Sequence, residues 1–150
     1  PTYTQLRVGR SGPHVVEVAA RLGGGHDAEL CELATGFDLN RAAIEAALGG
    51  ASVVATQSPA VSRQRAAAGG ACAVFLVPPE GRLAAVEGIN EAEAVEGVRE
   101  VRIYRRPGFI FGPFRRGADR AGAVLAVGDD RDDALARARR AADAIRFVVE

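Results

Sequence analysis

The sequence predicts an α+β protein of two parts, and three observations carry this prediction. Two short runs rich in β-forming residues, 3–8 and 14–20, flank a turn cluster at Gly9–Pro13, and two capped helical segments follow them. After a stretch without a regular period, apolar strands alternate with a helix that carries one continuous apolar stripe. Apolar residues make up 48% of the chain and charged residues 25%, which excludes collagen-like and wholly disordered proteins.

The first two runs are predicted to form a tight hairpin, because Arg10-Ser11-Gly12 can make a three-residue loop with Gly12 in the left-handed conformation. This register pairs three sets of residues across the strands: Gln5 with Glu17, Leu6 with Val16, and Val8 with His14.

Side chains alternate between the two faces of a strand, so the second strand is predicted to have a polar face and an apolar face. The polar face carries Glu17, Ala19 and Arg21, with Gln5 beside the glutamate. The opposite face carries Val16, Val18 and Ala20, and we expect Val16 and Val18 to be core residues.

Two helices are predicted after the glycine run at 23–25. Asp27 is expected to cap a helix over 28–35 that Gly36 ends, and Asp38 is expected to cap a second helix that runs through Leu48. Residues 1–50 are therefore interpreted as the first part, 51–70 as a connecting segment and 71–150 as the second part.

In the second part, strands are predicted over 71–77, 82–87, 98–104, 121–127 and 147–149. Asn90 is expected to cap a short helix that ends near Gly97, and 105–119 is interpreted as a long loop or irregular hairpin. Asp129 or Asp130 is expected to cap the clearest helix, which runs to Ile145. Its apolar stripe consists of Ala134, Leu135, Ala138, Ala141, Ala142 and Ile145.

Charge and cysteine content narrow the classes of function. Nineteen basic residues balance nineteen acidic ones, so no overall field attracts the chain to nucleic acid or to an anionic membrane. All basic residues are arginine, which excludes a lysine-bearing phosphate loop and a Schiff-base lysine.

Two cysteines, Cys31 and Cys72, are too few for a disulfide framework, so we expect free thiols and a cytoplasmic location. The absence of methionine and the first residue, Pro1, favour a piece of a longer protein.

The residues alone leave the chemistry of the polar face open. Glu17 and Arg21 can be ordinary solvent-facing charges, and Gln5 opposite Glu17 can be a simple cross-strand pair. The glycine run can offer backbone N–H groups to a phosphate or form only a turn. His26 beside Asp27 can be an acid–base pair, although an exposed loop histidine is the commoner case.

Three stretches together resemble the C-terminal part of ATP-grasp enzymes. The stretch from His14 to Gly25, HVVEVAARLGGG, resembles their final catalytic strand, and looks closest to that of ligases joining amino acids to amines or to other amino acids. ATGFDL at 34–39 is similar to a helix junction of this family, and RAGAVLAVG at 120–128 resembles the lid-side C-terminal domain. The implied fold is the end of an ATP-grasp domain, followed by a small α/β sandwich-like subdomain.

The resemblance implies specific roles for the polar face. ATP-grasp ligases activate a carboxylate as an acyl phosphate with ATP and Mg²⁺ (or Mn²⁺), and an amine then attacks it. The position matched by Glu17 ligates Mg²⁺, and the position matched by Arg21 is the catalytic arginine that steadies the phosphoryl group or the substrate carboxylate. Gln5 stands where a second acidic ligand is common, and Ala19 replaces a frequent asparagine, as is usual in the amino-acid ligase branch. The glutamine puts occupancy by two metals in doubt.

Two further readings stay open. One is a stand-alone regulatory α+β module that binds a small molecule such as an amino acid, and the other is an ATP-grasp protein of the biotin-dependent carboxylase type. In the ligase reading, the carboxylate and amine substrates bind through upstream domains, neither nucleic acid nor membrane is a partner, and homodimer formation is left open.

Overall fold

The computed structural model of the chain describes residues 1–49 and 69–150. The chain divides into two units, Pro1–Ala67 and Ala68–Glu150. The predicted connecting segment, 51–70, lies outside the described residues apart from Gly69 and Gly70.

The first unit begins with the predicted hairpin, formed by the antiparallel strands β1 (Tyr3–Gly9) and β2 (Gly12–Ala19). Gln5 pairs with Glu17, as predicted. The other two predicted pairs are wrong, because Leu6 lies opposite Val15 and Val8 opposite Pro13.

A shorter turn explains the two wrong pairs. Gly9 pairs with Gly12, so the turn contains only Arg10 and Ser11 between paired residues. This tighter turn shifts the pairing by one residue, and a bulge that leaves Val16 without a partner restores the Gln5–Glu17 pair.

The prediction that Val16 and Val18 are core residues is also wrong for the described chain. Their exposed fractions are 61% and 63%, and Leu6, Val8 and Val15 are exposed as well. A two-stranded ribbon buries side chains only where another layer covers it. Within residues 1–49 and 69–150, the ribbon carries apolar side chains that stay open to solvent.

Two helices follow the hairpin, α1 (Asp27–Thr35) and α2 (Leu39–Ala47). Gly36 ends α1 with a φ of 73°, and its N–H donates to the Glu32 carbonyl, as its predicted role requires. Asp38 caps α2 by accepting a hydrogen bond of 2.8 Å from the Arg41 N–H. Asp27, however, is the first helical residue of α1, and His26 holds the N-cap position that was predicted for the aspartate.

The second unit contains two three-stranded antiparallel sheets. In the first sheet, β7 (Gly122–Gly128) lies between β3 (Gly70–Leu76) and β5 (Val98–Ile103). Every residue of β7 is buried, which agrees with its unbroken run of small and apolar side chains. In the second sheet, β4 (Gly81–Glu87) lies between the two-residue β6 (Ile110–Phe111) and β8 (Arg146–Val149).

Two helices complete this unit, α3 (Ile89–Glu93) and α4 (Arg131–Ala144). The cap of α3 was wrongly predicted at Asn90. Gly88 holds that position with a φ of 80°, and a Cβ there would lie 1.8 Å from the Ala144 carbonyl oxygen. Close packing against the end of α4 therefore selects a glycine that helix propensity does not indicate.

Helix α4 packs its predicted alanine stripe on the β3–β7–β5 sheet. Asp130 caps it, because its Oδ1 accepts a hydrogen bond of 2.8 Å from the Asp133 N–H. Asp133 Oδ2 in turn accepts from the Asp129 N–H at 2.9 Å, so two N–H groups at the helix start are satisfied. Two core clusters result, one around Val124 and one around Leu83, and Phe147 packs against both.

Candidate functional site

The candidate site lies at the end of β2, where the hairpin brings the three predicted residues close in the fold. Gln5 and Glu17 are directly paired across the strands. An Nη2 atom of Arg21 lies 3.6 Å from Glu17 Oε1, so the two charged side chains extend to the same side of the strand. Ala19 ends β2 between them and is half-buried.

The contact between Arg21 and Glu17 contributes little to stability. About 60% of the Arg21 side chain and 49% of the Glu17 side chain are exposed, and water screens a pair of this kind. Arg21 also donates a 2.9 Å hydrogen bond from Nη1 to the Leu22 carbonyl, which orients the guanidinium toward the strand end. The Glu17 carboxylate and the Arg21 guanidinium can therefore each leave this weak contact to bind a ligand of complementary charge.

The donor set at this face fits one side of a Mg²⁺ site. Glu17 offers a carboxylate and Gln5 an amide oxygen, and Mg²⁺ prefers oxygen ligands completed by water and substrate phosphates. Within the described part of the chain, no three His, Cys, Asp or Glu side chains group closely enough to hold a metal by themselves. A metal at this face consequently needs ligands from a substrate or from other protein residues.

The segment that follows Arg21 places a histidine at the start of α1. His26 has a φ of 75°, in the left-handed region, and its ring Nδ1 contacts Glu29 Oε2. Only 13% of the His26 side chain is exposed, so it is not the exposed loop histidine that we took as the commoner case. Its acidic partner is Glu29, three residues on, where the sequence had suggested Asp27.

Gly23 is fixed by close packing. A Cβ at this position would lie 2.1 Å from Asp27 Oδ2 and 2.8 Å from Tyr3 Cδ2. The glycine therefore lets the segment after β2 approach both the start of β1 and the first residue of α1. Asp27 takes part in this local packing through its carboxylate.

Comparison with known proteins shows which family the chain belongs to. The sequence model described as L-amino acid ligase C-terminal domain 2 matches residues 74–150, which is just over half of the chain. The chain belongs to this family. The predicted resemblance to the C-terminal part of an ATP-grasp enzyme of the amino-acid ligase branch is thereby confirmed.

One curated relative of this ligase-family chain is the uncharacterized protein y4rH of Sinorhizobium fredii (strain NBRC 101917 / NGR234). It is 31% identical over 151 residues, which cover 99% of this chain and 30% of the relative.

Solved structures of ATP-grasp ligases share the fold of the chain. L-amino acid ligase from Bacillus licheniformis matches with a TM-score of 0.81 at 20% identity, over 99% of this chain and 36% of that one. Phosphoribosylglycinamide synthetase from Anaerococcus prevotii matches with a TM-score of 0.80 at 13% identity, over 99% and 37%. N5-carboxyaminoimidazole ribonucleotide synthetase from Thermotoga maritima matches with a TM-score of 0.69 at 22% identity, over 99% and 37%. The family chain thus spans about a third of the length of the proteins it matches, and its α+β fold class is confirmed.

The described helices are all too short or too polar to cross a membrane. Cys31 and Cys72 are both free thiols, and burial raises the pKa of the Cys72 thiol.

Proposed function

We propose that the chain is the C-terminal part of an ATP-dependent carboxylate–amine ligase, and that Gln5, Glu17 and Arg21 contact the metal and phosphoryl groups of its reaction. The observation that carries this proposal is the pairing of Gln5 with Glu17 beside an arginine 3.6 Å away. These are oxygen ligands and a phosphate-binding cation on one exposed strand end, in a chain that belongs to an amino-acid ligase family.

In this proposal, Glu17 and Gln5 would hold Mg²⁺ through their side-chain oxygens. The metal would supply positive charge to offset that of the phosphates during phosphoryl transfer. Arg21 binds the oxygens of the transferred group or of the substrate carboxylate, because its planar fork can donate two parallel hydrogen bonds. The arginine thereby holds the carboxylate or the phosphoryl group in position for transfer.

The reaction proposed for the whole ligase joins a carboxylate to an amine. The carboxylate oxygen attacks the terminal phosphorus of ATP, which gives an acyl phosphate and ADP. The amine nitrogen then attacks the acyl carbon, the amine loses a proton, and phosphate leaves with the former carboxylate oxygen. We place both substrates in contact with the rest of the ligase, without nucleic acid or membrane as a partner. The proposed ligase is cytoplasmic, and the proposal allows a homodimer.

Glu17→Gln in the longer ligase that carries this chain tests the proposal. The substitution keeps the size of the side chain and removes one charge from the metal face. Removal of one preorganised electrostatic contact commonly lowers turnover by about a hundredfold or more, so we expect a loss of this size in ADP formation. Thermal unfolding should stay unchanged, since the ion pair with Arg21 is exposed.

Glu100→Gln provides the matched control. Glu100 is also exposed and forms an ion pair with an arginine, Arg102, so the chemical change is the same away from the hairpin. Wild-type ADP formation in Glu17→Gln, or an equal loss in both variants, would contradict the proposed role. Saturable binding of an amino acid by the 150-residue chain, without any ligase activity of the longer protein, would instead favour the regulatory module.

A further inference from the structure

A second ligand-sized feature lies in the second unit, within the loop between β5 and β7. Residues between 105 and 119 line an open cavity of about 260 Å³. The sequence indicated only an irregular hairpin here, because Pro, Gly and Phe occur without a period. The structure shows that two arginines and two phenylalanines of this loop line the same cavity.

The loop concentrates positive charge in a chain that has none overall. Five arginines and one aspartate lie between 105 and 120, which gives a net charge of +4, whereas the whole chain has a net charge of zero. The one acid, Asp119, is occupied within the loop, where its Oδ2 accepts hydrogen bonds of 2.9 Å from the Arg115 and Arg116 N–H groups. These bonds hold the pKa of the Asp119 carboxyl below its usual value, and the bond from the Arg115 N–H has the largest effect.

The two arginines that line the cavity have more N–H donors than their hydrogen bonds within the loop use. The Arg116 side chain contacts Asp119 through Nε, at 3.5 Å, and is largely exposed. Arg105 donates from Nη2 to the Ala118 carbonyl at 3.1 Å and from Nη1 to the Tyr104 carbonyl at 3.5 Å, which fixes its direction. A guanidinium has five N–H donors, so both side chains retain N–H groups for an oxyanion.

One wall of the cavity is aromatic. Phe109 and Phe111 lie with ring centroids 5.1 Å apart at an angle of 60°, and the Arg105 guanidinium lies 4.7 Å from the Phe109 centroid. Phe111 is anchored against Phe147 of β8, with centroids 6.0 Å apart. A planar ring brought to this wall gains aromatic contacts at geometries of the kind already present.

We propose that this cavity binds a small planar anion, in which one aromatic ring carries a carboxylate or a phosphate. The ring would contact Phe109, and the oxyanion would contact the free N–H groups of Arg105 and Arg116. The volume suits one ring, because sites for drug-sized ligands span roughly 300–1,000 Å³. This proposal rests on the loop alone and is independent of the function proposed for the hairpin.

An NMR-monitored titration of the 150-residue chain tests the site with four probes. Benzoate and phenyl phosphate carry the ring with each oxyanion, benzamide carries the ring without charge, and cyclohexanecarboxylate carries the charge without the aromatic ring. We expect benzoate or phenyl phosphate to bind with saturation and to shift the signals of Phe109, and the tighter of the two identifies the oxyanion. Failure of both to bind, or equal binding of benzamide or cyclohexanecarboxylate, would overturn the proposal.

Arg116→Ala and Arg115→Ala form the matched pair of variants. They remove the same charge from adjacent positions, but only Arg116 lines the cavity. Loss of charged hydrogen bonds should weaken the tighter probe by at least about tenfold in Arg116→Ala, with little change in Arg115→Ala. Equal weakening in both would reduce the site to a diffuse cationic surface and overturn the proposal. Phe109→Leu supplies an independent check, since it should weaken the aromatic anion and leave cyclohexanecarboxylate unchanged.

Discussion

At the scale of single residues, the position of Glu17 depends on two departures from ideal strand pairing. The turn of the hairpin contains two residues, which alone would move Glu17 out of register with Gln5. The bulge at Val16 returns the two to a direct pair. A substitution that removed the bulge would consequently change the candidate site without altering any of its residues.

Arg21 provides the residue-scale prediction. Arg21→Ala in the longer ligase should lower kcat by roughly a hundredfold, because a group that binds the transferred phosphoryl or carboxylate oxygens is lost. Arg21→Lys should recover only part of this loss, since it restores the charge without the planar fork. Steady-state measurement of kcat and of KM for ATP checks both variants.

Arg41→Ala is the control for this series. Arg41 also pairs with a glutamate four residues away, Glu45, through a 2.7 Å contact on α2, and 73% of the Arg41 side chain is exposed. We expect near wild-type kcat in this variant. If Arg41→Ala were as impaired as Arg21→Ala, loss of an arginine–glutamate pair at this spacing would explain both effects, and Arg21 would have no role in the reaction.

At the residue scale, the sequence predicted one cross-strand pair and one helix cap correctly. The cap by Asp38 follows from a side chain that bonds its own helix. Gln5 lies opposite Glu17 as predicted, but only because the bulge offsets the shorter turn. The pairing of His26 with Glu29 was missed, although the spacing of three residues at a helix start is a signal for such contacts. The aspartate next in sequence was the more obvious partner.

At the scale of elements, the apolar stripe of α4 was predicted correctly, whereas the burial of the apolar face of the hairpin was not. The stripe of α4 repeats over four turns, and its members Ala134, Ala138 and Ala141 are fully buried. The apolar side chains of the hairpin, by contrast, are exposed in the described chain, because alternation shows which residues share a face but not whether a layer covers it. The cap at Gly88 was missed for a similar reason, since the end of α4 that selects it is distant in sequence.

Asp133 gives an element-scale prediction with a defined dependence on pH. Hydrogen bonding from the Asp129 N–H, and then from Arg137, holds the pKa of the Asp133 carboxyl below its usual value. A lowered pKa in the folded state means that the carboxylate stabilises the fold above its ordinary pKa, and this contribution is lost as pH falls through the lowered value. Asp133→Asn should therefore be less stable than wild type at pH 7, and the difference should shrink below about pH 4.

Urea unfolding of both proteins between pH 7 and pH 3 measures this effect. Asp132→Asn is the control, because Asp132 lies in the same helical turn and pairs with its exposed neighbour Arg131. A stability difference for Asp133→Asn that stayed constant down to pH 3 would contradict the account of this cap.

At the scale of the whole molecule, the sequence was sufficient for the class of fold and for the family. The HVVEVAARLGGG stretch suggested an ATP-grasp ligase, and the family match over 74–150 confirms that kind of protein through the other part of the chain. Fold class followed because strand runs, turn glycines and the stripe of α4 agree with one another. The cavity in the 105–119 loop could not be predicted from the sequence, because it depends on the conformation of a segment without a regular period.

The central claim is that the longer ligase activates a carboxylate as an acyl phosphate, with this chain holding the metal and phosphoryl groups. A carboxylate substrate labelled with ¹⁸O tests it, since the acyl phosphate transfers one carboxylate oxygen to the phosphate released on amine attack. Phosphorus NMR of the released phosphate should show one ¹⁸O per phosphate in the wild-type ligase, formed roughly a hundredfold more slowly in Glu17→Gln. Unlabelled phosphate accompanying product formation, or labelled phosphate formed at the wild-type rate by Glu17→Gln, would contradict the account.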